Sequence, residues 1–451
     1  MAFTLTGQAA EIYAHVRDAP IVSPHGHCDP AWFAENRAFA DPAELLVIPD
    51  HYVFRMLYSQ GVPLEQLGVG VAPQDRDPRA IFRLFADHWH LFLGTPSQLW
   101  IDFVLRDTLG CDLALGPDTA DAIYDHIDAW LADPSNRPRA LFDRFGIEVL
   151  ATTDSALDPL THHQTIADSD WGGRVVPTFR PDALLNPMSP GWANTIAALG
   201  AMTGEDTTTY AGFLSALRAR RAAFKALGAT ATDHAIEQPS TVWLDTPGHS
   251  FEALLSGDMR HADAFHGHML IEMAQMSLDD GLIMQLHAGS RRNTNAALFD
   301  RFGPDKGADI PIAVDWVRGL EPLLNRVGND PRLTLILFTL DETTYARELA
   351  PMAGHWPCLR IGPPWWFHDS AAGIARYLDQ VVETAGYHNL AGFNDDTRAF
   401  LSIPARHDLW RRAVAVHLAA QVDHGYFDLS TAQDLAQLLA SNLARKTYRL
   451  D

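Results

Sequence analysis

Ala19-Pro20-Ile21-Val22-Ser23-Pro24-His25-Gly26-His27 is the stretch on which the reading of this chain turns. Its short apolar run, followed by two histidines one residue apart, reads as a strand and its end. On an extended strand alternate side chains share a face, so His25 and His27 point the same way and can grip one metal ion together. Spacing alone proves little in a chain with 21 histidines. The same spacing recurs at His88/His90 and His266/His268. Both of those runs read as helical, and helical residues two apart do not face each other. Only the first pair ends a candidate strand near the start of the sequence. The plain alternative is a structural pair of histidines.

Outward from that strand the texture changes. Between Pro30 and Phe145, helices are predicted over residues 43–60, 79–93, 97–109, 119–131 and 139–145, separated by turn residues such as Asp77-Pro78 and Thr95-Pro96. This is far longer than an ordinary strand-to-helix loop, so it reads as an all-helical insertion. Beyond it, β-rich segments at 147–152, 175–179, 229–232, 282–286, 333–338, 359–361 and 390–393 alternate with helical stretches such as 210–227, 262–277, 313–327 and 371–385. With 21–24 as the first, eight strands result. Eight β/α alternations favour a distorted (β/α)8 TIM barrel over an open doubly wound sheet. The chain then divides into residues 1–29 (a helix and the first strand), 30–145 (the insertion) and 146–451 (the rest of the barrel). No glycine-rich phosphate loop is present, so no nucleotide cofactor is expected.

Composition narrows the function. The 451 residues are 47% hydrophobic, with a mean hydropathy of -0.09. No apolar run approaches the ~18 residues of a membrane span. Residues 1–20 lack the basic and apolar regions of a signal peptide, and Thr6 is placed to cap a short helix through Val16. Three scattered cysteines, Cys28, Cys111 and Cys358, suit free thiols in a reducing cytoplasm. The formal charge of -22 argues against nucleic-acid and membrane partners. An anionic substrate would need local arginines or a metal. A homo-oligomer is compatible with such a barrel, though no stretch marks an interface.

A barrel of this kind builds its site from the C-terminal strand ends. In order these carry His25 and His27, Thr153-Asp154, Arg180, Asp233-His234, His287, Thr339 and Asp341, Trp365-Trp366, and Asp395-Asp396-Thr397-Arg398. Each has a bland alternative. A lone strand-end histidine is often a satisfied core residue, arginines form structural ion pairs, aspartates cap helices, and paired tryptophans pack. Cys28 points to the face opposite the histidines.

Together these residues resemble the amidohydrolase superfamily and, within it, the uronate isomerases. The H-x-H after the first strand and the aspartate after the last are the superfamily's signature. More specific are Asp50-His51-Tyr52 with Arg55, Pro177-Thr178-Phe179-Arg180-Pro181-Asp182, Thr232-Asp233-His234 and Gln285-Leu286-His287 with Arg292-Asn293. Trp365-Trp366-Phe367 and Asp396-Thr397-Arg398-Ala399-Phe400-Leu401-Ser402 complete the series. Two positions depart from the family pattern: Gly26 stands where a cysteine is usual, and Asp395-Asp396-Thr397-Arg398 where Thr-Asp-Ser-Arg is usual. The Asp-x-Arg spacing selects Asp396 over Asp395.

The resemblance implies an aldose–ketose isomerase converting D-glucuronate to D-fructuronate and D-galacturonate to D-tagaturonate through an enediol. His25, His27, His287 and Asp396 are the candidate ligands of one divalent metal. Imidazoles with a carboxylate suit Zn2+, with Mn2+, Co2+ and Fe2+ left open. Asp396 is the expected base at C2. Arg180 and Arg398 would fork onto the sugar carboxylate, with Trp366 as a wall and Asp233 at substrate hydroxyls. The resemblance further implies that His51 and Tyr52 assist ring opening and proton delivery. A mononuclear amidohydrolase or deaminase is the second reading, and a non-catalytic metal- or sugar-binding barrel the third.

Overall fold

Short runs rich in Ile, Val and Leu become the staves of a parallel barrel in the computed structural model, which describes residues 4–451, Phe367 by its backbone alone. The strands are β1 (Ile21–Ser23), β2 (Ile147–Ala151), β3 (Asp154–Ser155), β4 (Val175–Val176), β5 (Phe179–Arg180), β6 (Ala231–Ala235) and β7 (Ile283–Ala288). A small antiparallel pair, β8 (Ser290–Arg291) and β9 (Ile310–Pro311), follows, then β10 (Leu335–Thr339) and β11 (Leu359–Ile361). β2 with β3 and β4 with β5 are two continuous staves. The amides of Leu150, Thr152, Asp154 and Ala156 donate in turn to the carbonyls of Arg174, Val176, Thr178 and Arg180. Counted this way, pairing runs from β1 through β2–β3, β4–β5, β6, β7 and β10 to β11, all parallel. This is a distorted TIM barrel.

Several strand bounds shift by a residue or two from the sequence expectation, and two differences bear on the site. β6 lies two residues beyond 229–232, because Ala231 to Ala235 pair residue for residue with Ile283 to His287 of β7. Polar Asp233 and His234 are thereby carried inside a strand. The expected eighth strand at 390–393 shrinks to one bridge, Leu390 to Ile361. Gly392, at φ 88°, turns the chain out of the extended region, and a Cβ there would lie 2.4 Å from the amide nitrogen of Ala444. Across the remaining gap the His27 amide, at 3.0 Å, and the Cys28 thiol, at 3.7 Å, donate to the Thr397 carbonyl.

The insertion is helical throughout, from Pro30–Glu35 to Pro138–Arg144. Four of its helices begin with Asp29-Pro30, Asp41-Pro42, Asp77-Pro78 and Thr95-Pro96. In each, the Asp or Thr side chain accepts a first-turn amide and proline takes the next position. The helix expected over 43–60 is two, Pro42–Leu46 and His51–Tyr58. Pro49 cannot continue the first, and Asp50 caps the second by accepting the Tyr52 amide at 2.8 Å. His51 and Tyr52 thus occupy a first turn. Phe33, Phe82, Phe85 and Phe142 of the insertion share one apolar cluster with Ile21, Ile147 and Leu150 of the barrel, so the insertion is anchored on the first two staves. The N-terminal helix runs Gly7–Val16, with Thr6 at its cap position but without a side-chain bond. All three cysteines are buried and free. Among the described residues no helix is long and apolar enough to cross a membrane.

Candidate active site

The C-terminal ends of the staves open on a cavity of about 330 Å³, and every residue given a site role from the sequence lines it. Asp396 lies at its centre. Its Oδ1 is 3.1 Å from His27 Nε2 and 3.5 Å from His25 Nε2. His25, His287 and Asp396 each offer a donor atom, all within 4.8 Å of one another, a group able to hold a metal ion. His27 borders that group, its Nε2 against Asp396 and its ring edge-on to His25 at 5.4 Å.

The fit of this group to a metal rests on His287. Its Nδ1 donates to Asp233 Oδ1 at 2.7 Å, which places the ring proton there and leaves Nε2 as a bare lone pair. Nε2 is buried and meets no hydrogen-bond partner. A buried lone pair without a donor is costly unless a cation takes it. The His287 ring is pinned face to face on Phe338 (4.1 Å, 8°) and edge-on to Trp365 (4.9 Å). His25 lies against both, 4.8 Å from the His287 ring and 6.2 Å from that of Phe338. Burial pushes the His25 pKa down to about 4, so its imidazole is neutral. Burial opposes ionisation of Asp396, but His25 and the bond from His27 outweigh it and hold the carboxyl well below its usual range.

The backbone here is strained. Asn293, Asp305, Trp366 and Asp396 all have positive φ, 55°, 61°, 55° and 41°, and all four line the cavity. Non-glycine residues in that region cost of order 1 kcal/mol and gather where the surroundings enforce a geometry. The doubled aspartate divides its tasks. Asp396 faces the histidines, whereas Asp395 is buried with Oδ2 3.2 Å from His407 Nε2. A Cβ on Gly26 would lie 3.4 Å from Asp395 Oδ1, so the two departures from the family pattern occupy one spot.

Each candidate arginine already holds a carboxylate. Arg180 Nε donates to Asp182 Oδ2 at 2.9 Å and lies 3.6 Å from Asp233 Oδ2. Burial alone would lower its pKa, but Asp182 and Asp233 outweigh burial and raise it. Arg398 Nη2 donates to Asp305 Oδ2 at 2.8 Å. Asp233, expected at substrate hydroxyls, has Oδ1 committed to His287. Three arginines and five aspartates line the cavity, so a divalent cation would bring the lining near neutrality for an anion.

His51, in the first turn of its insertion helix, is buried, its ring stacked on Trp366 at 4.2 Å and beside Tyr52 at 5.1 Å. Neither His51 nitrogen finds a protein partner. Burial, with Arg398 nearby, holds its pKa well below the ordinary value. Burial pushes the Tyr52 phenol up, so it keeps its proton. Asp154, His234 and Asp341 do not join the site. Asp154 accepts Thr152 Oγ1, His234 faces Thr232, and Asp341 accepts the Val314 amide. Sequence reasoning gave no role to Asp182, Arg292 or Asp305, which line the cavity. Asp182 and Arg292 stood within quoted motifs. Asp305 had no signal beyond its turn, Gly303-Pro304-Asp305.

Residues 2–446 match the glucuronate isomerase family. A uronate isomerase of Rhizorhabdus wittichii is 58% identical over 446 residues, covering 98% of this chain and 95% of that protein. The crystal structure of glucuronate isomerase from Caulobacter crescentus superposes with a TM-score of 0.96 at 50% identity, over 98% of this chain and 94% of that one. That of uronate isomerase from Thermotoga maritima gives 0.92 at 28% identity, over 99% and 100%. With the barrel, the cavity and these likenesses agreeing along its length, the chain belongs to the glucuronate isomerase family and is an isomerase.

Proposed function

We propose that this enzyme interconverts D-glucuronate with D-fructuronate, and D-galacturonate with D-tagaturonate, by moving a proton between C2 and C1. The observation that carries the reading is an ionised, strained Asp396 set among imidazoles, in a cavity whose arginines can receive a carboxylate. The donor set suits one divalent metal, Zn2+ first, which when bound would stabilise negative charge developing on the sugar oxygens. His25, His287 and Asp396 would hold it, with His27 beside them.

Asp396, kept ionised near neutrality by its low pKa, takes the C2 proton and returns it to C1 while the O2 hydroxyl proton passes to O1. Arg180 and Arg398 orient the sugar by its carboxylate, with Asp182 and Asp305 holding the guanidinium forks in place. Asp233 fixes the His287 tautomer, and its Oδ2 is the atom left for a substrate hydroxyl. Tyr52, protonated, and His51, neutral, assist ring opening and proton delivery under the wall made by Trp366.

The test is direct: metal-loaded protein is incubated with each uronate and the ketose is measured. Hydrolysis of amides or deamination without ketose would favour the amidohydrolase reading, and no turnover a binding barrel. Arg180→Met and Arg398→Met should each lower kcat/KM on the uronate about 10- to 100-fold, the worth of a charged hydrogen bond. A neutral aldose should lose far less. Equal losses on both sugars would assign the arginines a structural role.

A further inference from the structure

Arg406 lies behind the cavity, on the helix Ile403–Asp423, and does not line it. It is 3% exposed, which for a guanidinium demands a reason. One of its contacts is to the peptide that precedes Asp396. Nη1 donates to the Asp395 carbonyl at 3.2 Å and to Asp369 Oδ2. Nε donates to Ser402 Oγ at 3.1 Å. Ser402 Oγ in turn lies 3.0 Å from Thr397 Oγ1. The guanidinium also covers the Trp100 ring at 3.5 Å and the Tyr52 ring at 5.6 Å.

The geometry of Asp396 gives these contacts a meaning. Its φ of 41° is a rotation about the bond that follows the 395–396 peptide. Turning that peptide to relieve the strain would swing the Asp395 carbonyl, which Arg406 holds. On the other flank, the Thr397 carbonyl accepts the His27 amide at 3.0 Å, and the Thr397 hydroxyl is held by Ser402.

We propose that Arg406, braced by Asp369 and acting partly through Ser402, is a positioning residue that fixes the 395–396 peptide on one side of Asp396 and the Thr397 side chain on the other, and so aims the Asp396 carboxylate at His25 and His27. The same guanidinium seats Tyr52 by its ring. This goes beyond the proposed roles of the cavity residues but rests on Asp396 as base and ligand.

Arg406→Lys keeps the charge but cannot bridge two acceptors in a fixed fork. Ser402→Ala removes one arm of the clamp with almost no change in volume, so it tests the clamp even if Arg406→Lys does not fold. Three quantities are read: kcat and KM separately, the affinity for Zn2+ in competition with a chelator, and the visible spectrum of the cobalt-loaded protein. Losses on the order of 10- to 100-fold in kcat and in metal affinity are expected, with an altered cobalt spectrum. KM should stay near wild type, because Arg180 and Arg398 are untouched. A lower melting temperature with unchanged kcat, metal affinity and spectrum would overturn the proposal. If Asp396→Asn itself turned over uronate normally, the underlying reading would fall and the clamp with it. An inactive Asp396→Asn beside unaffected Ser402→Ala and Arg406→Lys would overturn the clamp alone.

Discussion

Asp396→Asn should turn over uronate about 10²- to 10⁴-fold more slowly, the span a general base contributes. An amide cannot accept the C2 proton. Metal content must be measured on the variant, because the same side chain is within reach of His25 and His287. Isotopes separate base catalysis from other routes. In deuterated water the wild-type enzyme should place solvent deuterium at C1 of the ketose, since a proton captured by Asp396 exchanges before it is returned. Substrate deuterated at C2 should lose label to solvent. Complete transfer of label from C2 to C1, persisting in a metal-loaded Asp396→Asn, would mean a hydride shift and overturn the assignment.

Metal binding should collapse in His287→Ala and in His25→Ala. In each case the loss should exceed the roughly 10- to 100-fold that follows removal of a group merely supporting a ligand. His287 is the sharper of the two. Its Nε2 is buried without a partner, and its other nitrogen is already fixed by Asp233. Far-ultraviolet dichroism should be unchanged, because both side chains sit at the barrel mouth. Stoichiometric metal with normal turnover in His287→Ala would show that the bare nitrogen serves another purpose.

Most of the barrel was legible because its staves are apolar runs punctuated by turns. Illegible parts have identifiable causes. Asp233-His234 looks like a loop entry, yet pairing with β7 makes it strand. Leu390–Phe393 looks like a strand, yet Gly392 and the close approach of Ala444 end it after one bridge. Pro49 was a visible break that periodicity over 43–60 overrode. In the site, residues at strand ends or in dense motifs could be read directly. Their supports could not. Asp305, Phe338, Asp369 and Arg406 matter only through contacts with residues far away in the chain, such as Asp305 with Arg398 or Arg406 with the Asp395 carbonyl, and no local pattern announces them.

The thin closure of the barrel has a consequence for stability. Between β1 and the segment that follows β11, hydrogen bonding is sparse: the His27 amide and the Cys28 thiol both donate to the Thr397 carbonyl. His25 and His27 stand on one bank of this seam and Asp396 on the other. An ion bound across them is therefore also a rivet, joining edges that the backbone leaves almost unstitched. By thermodynamic linkage, binding at a hundred times its dissociation constant adds about 2.7 kcal/mol to the folded state. Occupancy and endurance of the enzyme would then rise and fall together.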